Sequence, residues 1–228
     1  MKKIICLAKS HKISGYCIAG KEILYNGTIG GWIRPVSSRI FEEISKHECK
    51  MNNNCETILL DIVKIPVMRH NPSYFQCENH LIDENITWKK EGVFQYGDLI
   101  NICDNPEYLW NPDNSSGSGI RDRIKESDME KINNSLYLIS PTNLTIYVKT
   151  EGEYFGNPRR RVRALFTYNG TQYKFSVTDL VQRNTYLEKD DGKYIINTPE
   201  NNIFMCISLG LLHTDKYCYK LVSSIIGL

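Results

Sequence analysis

The run Arg159-Arg160-Arg161-Val162-Arg163-Ala164-Leu165-Phe166-Thr167-Tyr168 leads into Asn169-Gly170, and the chain continues through Gln172, Lys174 and Ser176 to Asp179. Asn-Gly is the dipeptide best suited to the two left-handed positions of a type I′ turn, so this segment predicts a tight β-hairpin. With Tyr168 opposite Thr171, Phe166 faces Tyr173, Ala164 faces Phe175, Val162 faces Val177 and Arg160 faces Asp179. All of these share one side, because residues opposed across an antiparallel pair project together. The reverse side collects Arg159, Arg161, Arg163, Thr167, Gln172, Lys174, Ser176 and Thr178. Guanidinium groups at alternate positions stand about 6.6 Å apart at the ~3.3 Å rise of a strand. That is close to the phosphate spacing of an extended nucleic-acid strand. Arg159, Arg161, Arg163, Lys174 and Gln172 are therefore candidate phosphate-binding residues. An ordinary solvated sheet face, with Arg guarding against edge-to-edge association, would carry the same pattern.

A second concentration of polar chemistry lies in the first half. Lys9-Ser10 follows an apolar opening run, Trp32-Ile33-Arg34 sits in a segment with paired glycines, and Gln76-Cys77-Glu78-Asn79 is dense in groups able to meet the hydrogen-bonding edge of a base. Trp and Arg can stack on and clamp a base or phosphate. Lys9, Ser10, Trp32, Arg34, Gln76, Glu78 and Asn79 are thus candidates for a base or nucleotide pocket. Arg121 and Arg123, two guanidinium groups around Asp122 after a Gly/Ser loop, are candidates to join them. Each also has a plainer role: core aromatic for Trp32, loop capping for Gln76 and Asn79, a helix start for Asp122.

Catalytic signatures are absent. No phosphate loop, nucleophile elbow, zinc-protease helix or dinucleotide fingerprint occurs. Ser10 and His11 are adjacent and would point to opposite sides of a strand, while Asp61, Asp83 and Asp104 are scattered. No catalytic residue is assigned and no cofactor is expected. His47, Cys49, Cys55, Cys77 and His80 have zinc-ligand chemistry but lack paired Cys-x-x-Cys knuckles, so no metal site is assigned either. The eight cysteines, with no export signal or membrane-length apolar run recognised, are read as reduced thiols, and a cytoplasmic protein away from membranes is expected.

The elements that must position these residues are short extended runs rich in Ile, Val, Tyr and Thr, punctuated by Gly, Asn and Pro. Strands are predicted over 3–8, 28–36, 57–66, 98–103, 136–140, 144–150, 161–168, 172–178, 203–209 and 216–223, and helical spacing over 39–46 and 123–132. The stretch 111–119 has linker composition. The chain of 228 residues is thereby expected to be mainly β, two tandem small OB-like β-barrels with a few short helices, divided as 1–134 and 135–228. With 28 basic and 26 acidic residues the net charge is only +2, so attraction for a polyanion has to come from local clustering.

Lys9-Ser10, Cys17-Ile18-Ala19-Gly20, Gly31-Trp32-Ile33-Arg34-Pro35-Val36-Ser37, Gln76-x-Glu78-Asn79, Arg159 to Arg163, Ser176-Val177-Thr178-Asp179 and Ser208-Leu209-Gly210 together resemble the bacterial dual OB-containing domain family over nearly the whole chain. The resemblance implies two OB-like barrels in tandem and nucleic-acid or nucleotide binding in a defence or mobile-element setting. It brings no catalytic residues. The expected partner is single-stranded nucleic acid or a nucleotide. Two alternatives stay open: an enzyme acting on nucleotides or modified nucleic acid around Lys9, Trp32, Arg34 and Glu78, and an interaction module of a larger protein complex that docks through the arginine face.

Overall fold

The computed structural model describes residues 1–12, 14–51, 55–197 and 202–228, with the backbone alone at 155. It divides into two units, residues 1–102 with 133–135, and residues 103–132 with 136–228. Each is built on one large, mostly antiparallel sheet. Among the described residues no helix is long and apolar enough to cross a membrane.

The first sheet contains β1 (Lys2–Lys12), β2 (Gly15–Ile23), β3 (Ile29–Val36), β4 (Asp61–Ile65), β5 (Val67–His70), β6 (Asn79–Ile82) and β7 (Lys89–Val93) in the order β5-β6-β3-β2-β1-β4-β7. In β1 five consecutive residues, Ile4 to Ala8, are buried. A strand wrapped on both sides reads as a continuous apolar run, not as an alternation. The β1–β2 register slips between Cys6 and Ala8, and the facing Gly20 allows the bend: a Cβ there would stand 1.9 Å from the Ile5 carbonyl oxygen. The sheet curls around Ile4, Leu7, Ile18, Ile33, Val63 and Trp88.

The second sheet contains β9 (Leu136–Ile139), β10 (Thr142–Glu151), β11 (Arg159–Tyr168), β12 (Thr171–Val177), β13 (Gly192–Ile195), β14 (Phe204–Leu212) and β15 (Tyr217–Ile226) in the order β13-β10-β11-β12-β15-β14-β9, with β8 (Arg123–Lys125) beside β15. The hairpin register is the expected one from Tyr168–Thr171 to Ala164–Phe175, and Asn169 and Gly170 turn with φ of 46° and 73°. Phe166, Tyr173 and Phe175 pack ring against ring beneath it.

The expected pairs Val162–Val177 and Arg160–Asp179 are not formed. Antiparallel pairing ends at Arg163–Ser176, where β12 becomes the parallel neighbour of β15. Asp179 instead caps the helix α1 (Leu180–Leu187), accepting from the Gln182 amide at 2.9 Å and from the Ile225 amide at 2.9 Å. Arg160 reaches the carbonyls of Leu187 and Lys189 at the far end of that helix, where a cation suits the dipole.

Other expectations also change. The apolar run over 98–103 is a 3-10 helix, Tyr96–Ile102, whose buried Leu99 and Ile102 are three apart, as such a turn requires. Residues 39–46 form turns, with Ile44 bridged to Tyr16. Residues 123–132 begin as β8 and continue as a 3-10 helix, Glu126–Lys131. Strands β2, β5, β6, β7 and β13 and helix α1 come in addition.

The stretch 103–132 belongs to the second unit, whereas a division after 134 would have placed it with the first. Ile120 and Lys174 exchange backbone hydrogen bonds of 3.2 and 3.0 Å, and β8 extends the sheet at β15. The ammonium of Lys220, 1% exposed, donates to the Trp110 carbonyl at 3.0 Å and to Asp113 at 3.2 Å. Burial depresses its pKa to about 8, with Asp113 opposing the shift. Ser135 returns to the first unit, where Glu78 accepts from its amide at 3.0 Å and its hydroxyl at 2.5 Å.

Candidate nucleic-acid interface

Alternation along β10 and β11 decides which side chains share the exposed face. Arg159 pairs with Glu151, Arg161 with Lys149, Arg163 with Tyr147 and Leu165 with Thr145, while on the other edge of β10 Tyr147 pairs with Lys193. One surface thus carries Lys149, Arg159, Arg161, Arg163, Lys174 and Lys193 around the ring of Tyr147. The Lys174 ammonium stands 4.6 Å and the Lys193 ammonium 5.5 Å from the centre of that ring. Tyr147 is half-buried, so the ring is held between its neighbours while part of it stays open.

The cations are not equivalent. Arg163 is clamped by Glu151 in a bidentate pair, Nε to Oε1 at 2.6 Å and Nη2 to Oε2 at 2.9 Å, with Asp122 at 3.7 Å beyond. Burial pushes the Glu151 carboxyl up, but the Arg163 hydrogen bonds and charge outweigh it and hold the group below the usual carboxylate range. Arg163 is therefore a strut, and its assignment as a phosphate ligand is corrected on that ground. Lys149, Arg159, Arg161, Lys174 and Lys193 form no salt bridge among the described residues, and Arg159 bonds only Asn157. Lys174 has its pKa lowered by burial first, then by the like charge of Arg163, Lys149 and Lys193, with the Glu151 carboxylate opposing the shift. Gln172 is exposed, opposite Thr167. Tyr147, Lys149 and Lys193 are the residues that the sequence reasoning missed. The alternation Leu144-Thr145-Ile146-Tyr147-Val148-Lys149 already puts the first two on one face; what it lacked was the knowledge that β10 lies beside β11.

The first-unit candidates assemble differently. Arg34 (3% exposed), Gln76 (4%), Glu78 (7%) and Asn79 (0%) do come together, through the parallel pair β3–β6 that sets Arg34 against Asn79. Arg34 lies 3.8 Å from Glu78 and donates to Asn79 Oδ1 at 3.4 Å, and Asn79 donates to Gln76 at 3.3 Å. This is an interior polar cluster pinning β3, β6 and Ser135, not an open pocket for a base: the four side chains are buried and only partly bonded to one another, Arg34 Nε and Glu78 Oε2 having no hydrogen-bond partner among the described residues. Lys9 is bound elsewhere, to Glu56 at 2.7 Å and the Thr57 carbonyl at 3.0 Å, and Ser10 is buried. Trp32 is half-buried with the Lys21 ammonium 5.6 Å from its ring. Arg121 and Arg123 belong to the second unit: Arg121 pairs with Asp113 at 3.1 Å, and Arg123 lies over the Tyr217 ring at 4.0 Å. Between them Asp122 is 1% exposed and accepts from the Ser116 amide at 2.7 Å and hydroxyl at 2.6 Å. Among the described residues no three His, Cys, Asp or Glu side chains converge to hold a metal, the set His47, Cys49, Cys55, Cys77 and His80 included.

No curated protein and no solved structure matches the chain. The family model of the dual OB-containing domain does, over residues 2–225, in agreement with the two sheet-built units and the mainly β content. The chain is a member of the dual OB-containing domain family.

Proposed function

We propose that the protein binds single-stranded nucleic acid on the β10–β13 face of its second unit. One observation carries this reading: five cations that form no salt bridge among the described residues share a single sheet surface with a half-buried tyrosine ring, two of them 4.6 and 5.5 Å from its centre. Lysine and arginine at strand spacing neutralise successive phosphates, while an aromatic ring accepts any base by stacking, worth about 1–3 kcal/mol per base. Membership of a family named for its OB domains supports the same reading, since OB barrels commonly bind single strands with a strand face. The first unit, whose polar cluster is buried, serves in this reading as a folded partner domain. Titration of a labelled single-stranded oligonucleotide at several salt concentrations tests the proposal. Affinity is expected to fall steeply with salt, and Tyr147→Ala to weaken binding with little change of slope. A salt-independent response would refute it.

A further inference from the structure

The β10–β12 face ends in a cavity of about 440 Å³, within the range of small-ligand sites. Gly117 and Ser118 of the Gly/Ser loop, Lys149, Lys174, Glu151 and Glu153 contribute to its lining. The loop is a fixed wall. Ser116 is tied to Asp122, the Gly119 amide donates to the Ser116 hydroxyl at 3.0 Å, and the Ile120–Lys174 bonds seat the loop on β12. Packing also demands a glycine at 119, where a Cβ would stand 1.9 Å from the Asp122 carboxylate. Among the described residues the backbone N–H groups of Gly117 and Ser118 have no acceptor. Two backbone amides without an acceptor and two ammonium groups along one cavity wall are the donors that bind an anion. Of the two carboxylates, Glu151 is neutralised by Arg163, and the exposed Glu153 is available to a sugar hydroxyl or base amino group.

We propose that this cavity receives the terminal phosphate of a nucleic-acid strand, held by Lys149, Lys174 and the amides of Gly117 and Ser118. The inference rests on the reading of the β10–β13 face as a nucleic-acid surface and adds which part of the strand the loop reads. A terminal phosphomonoester carries nearly two charges at neutral pH, whereas an internal diester carries one.

Internally labelled oligonucleotides of one sequence, bearing a 5′-phosphate, a 3′-phosphate or neither, are titrated against the full chain. One phosphorylated end is expected to bind about tenfold more tightly than the unphosphorylated strand, the gain from one added charge-assisted contact. Lys149→Met, an exposed position, is expected to remove most of that preference. Equal, salt-dependent binding of all three strands would overturn the end-recognition inference and leave the nucleic-acid reading standing. Absence of binding to any strand would overturn both. Displacement of the phosphorylated strand by an equimolar nucleoside monophosphate would overturn the strand assignment in favour of a free nucleotide.

Discussion

Arg159→Ala/Arg161→Ala and Arg163→Ala should behave in opposite ways, although all three arginines lie on one strand face. Single-strand binding loses about 0.7 in the slope of log affinity against log salt for each phosphate no longer neutralised. With Lys149, Arg159, Arg161, Lys174 and Lys193 engaged, the wild-type slope is about −3.5, a loss of roughly a hundredfold in affinity between 50 and 200 mM salt. The double variant should fall to a slope of about −2.1, a loss of roughly twentyfold over the same interval. Arg163 is held by Glu151 at 2.6 and 2.9 Å, so its removal should leave the slope near the wild-type value. What it should cost is about 1–3 kcal/mol of stability, through the carboxylate left without its donors. Fluorescence anisotropy across a salt series gives the slopes, and urea unfolding gives the stabilities. A flattened slope for Arg163→Ala, or an unchanged slope for Arg159→Ala/Arg161→Ala, would refute the division of this face into ligand-binding and structural cations.

Other expected outcomes concern the framework. Glu151→Gln should destabilise the protein by about 1–2 kcal/mol above the ordinary carboxylate pKa. Because the folded carboxyl titrates below its unfolded value, the difference from wild type should vanish as pH falls through that lower range, read as converging urea midpoints. Lys220 loses its proton near pH 8 when folded and near 10.5 when unfolded, so between these values only the unfolded chain holds the proton. Wild type should therefore gain on Lys220→Met by about 3 kcal/mol as pH rises through that window, and calorimetry showing the reverse trend would contradict the buried charge. Asp179→Ala should cost about 2–4 kcal/mol by stripping α1 of its cap and leaving the Ile225 amide unpaired, with Asp179→Asn intermediate in the same denaturation assay.

The hairpin was legible because its determinants are local: Asn169-Gly170 dictates the turn, and the alternation from Val162 to Phe175 dictates the register. Arg163 was misjudged because its partner, Glu151, stands twelve residues earlier on β10, and only the completed sheet shows a diagonal contact between them. The polar cluster of the first unit was misread for a related reason. Arg34, Gln76, Glu78 and Asn79 look like surface chemistry in a list of residues, yet the β3–β6 pairing turns them inward, where Arg34 donates to Asn79, Asn79 to Gln76, and Glu78 accepts from Ser135. Residues 111–119 have the composition of a linker, but Asp122 satisfies Ser116 and fixes a conformation that Ser and Gly content alone does not disclose. Helix α1 was missed because its start signal, Asp179, had been placed across from Arg160 in the hairpin.

The acceptors of the Lys220 ammonium govern where the polypeptide can be cut. A fragment comprising 135–228 would retain the cation in its apolar interior while discarding both the Trp110 carbonyl and Asp113, and it would also lose the edge partners of β12 and β15. Stranding such a group costs several kcal/mol, on the scale of the entire folding free energy of a small domain. A fragment comprising 103–228 keeps both acceptors of Lys220 and the edge partners of β12 and β15 and should give a cooperative thermal transition, while the shorter piece should be recovered insoluble.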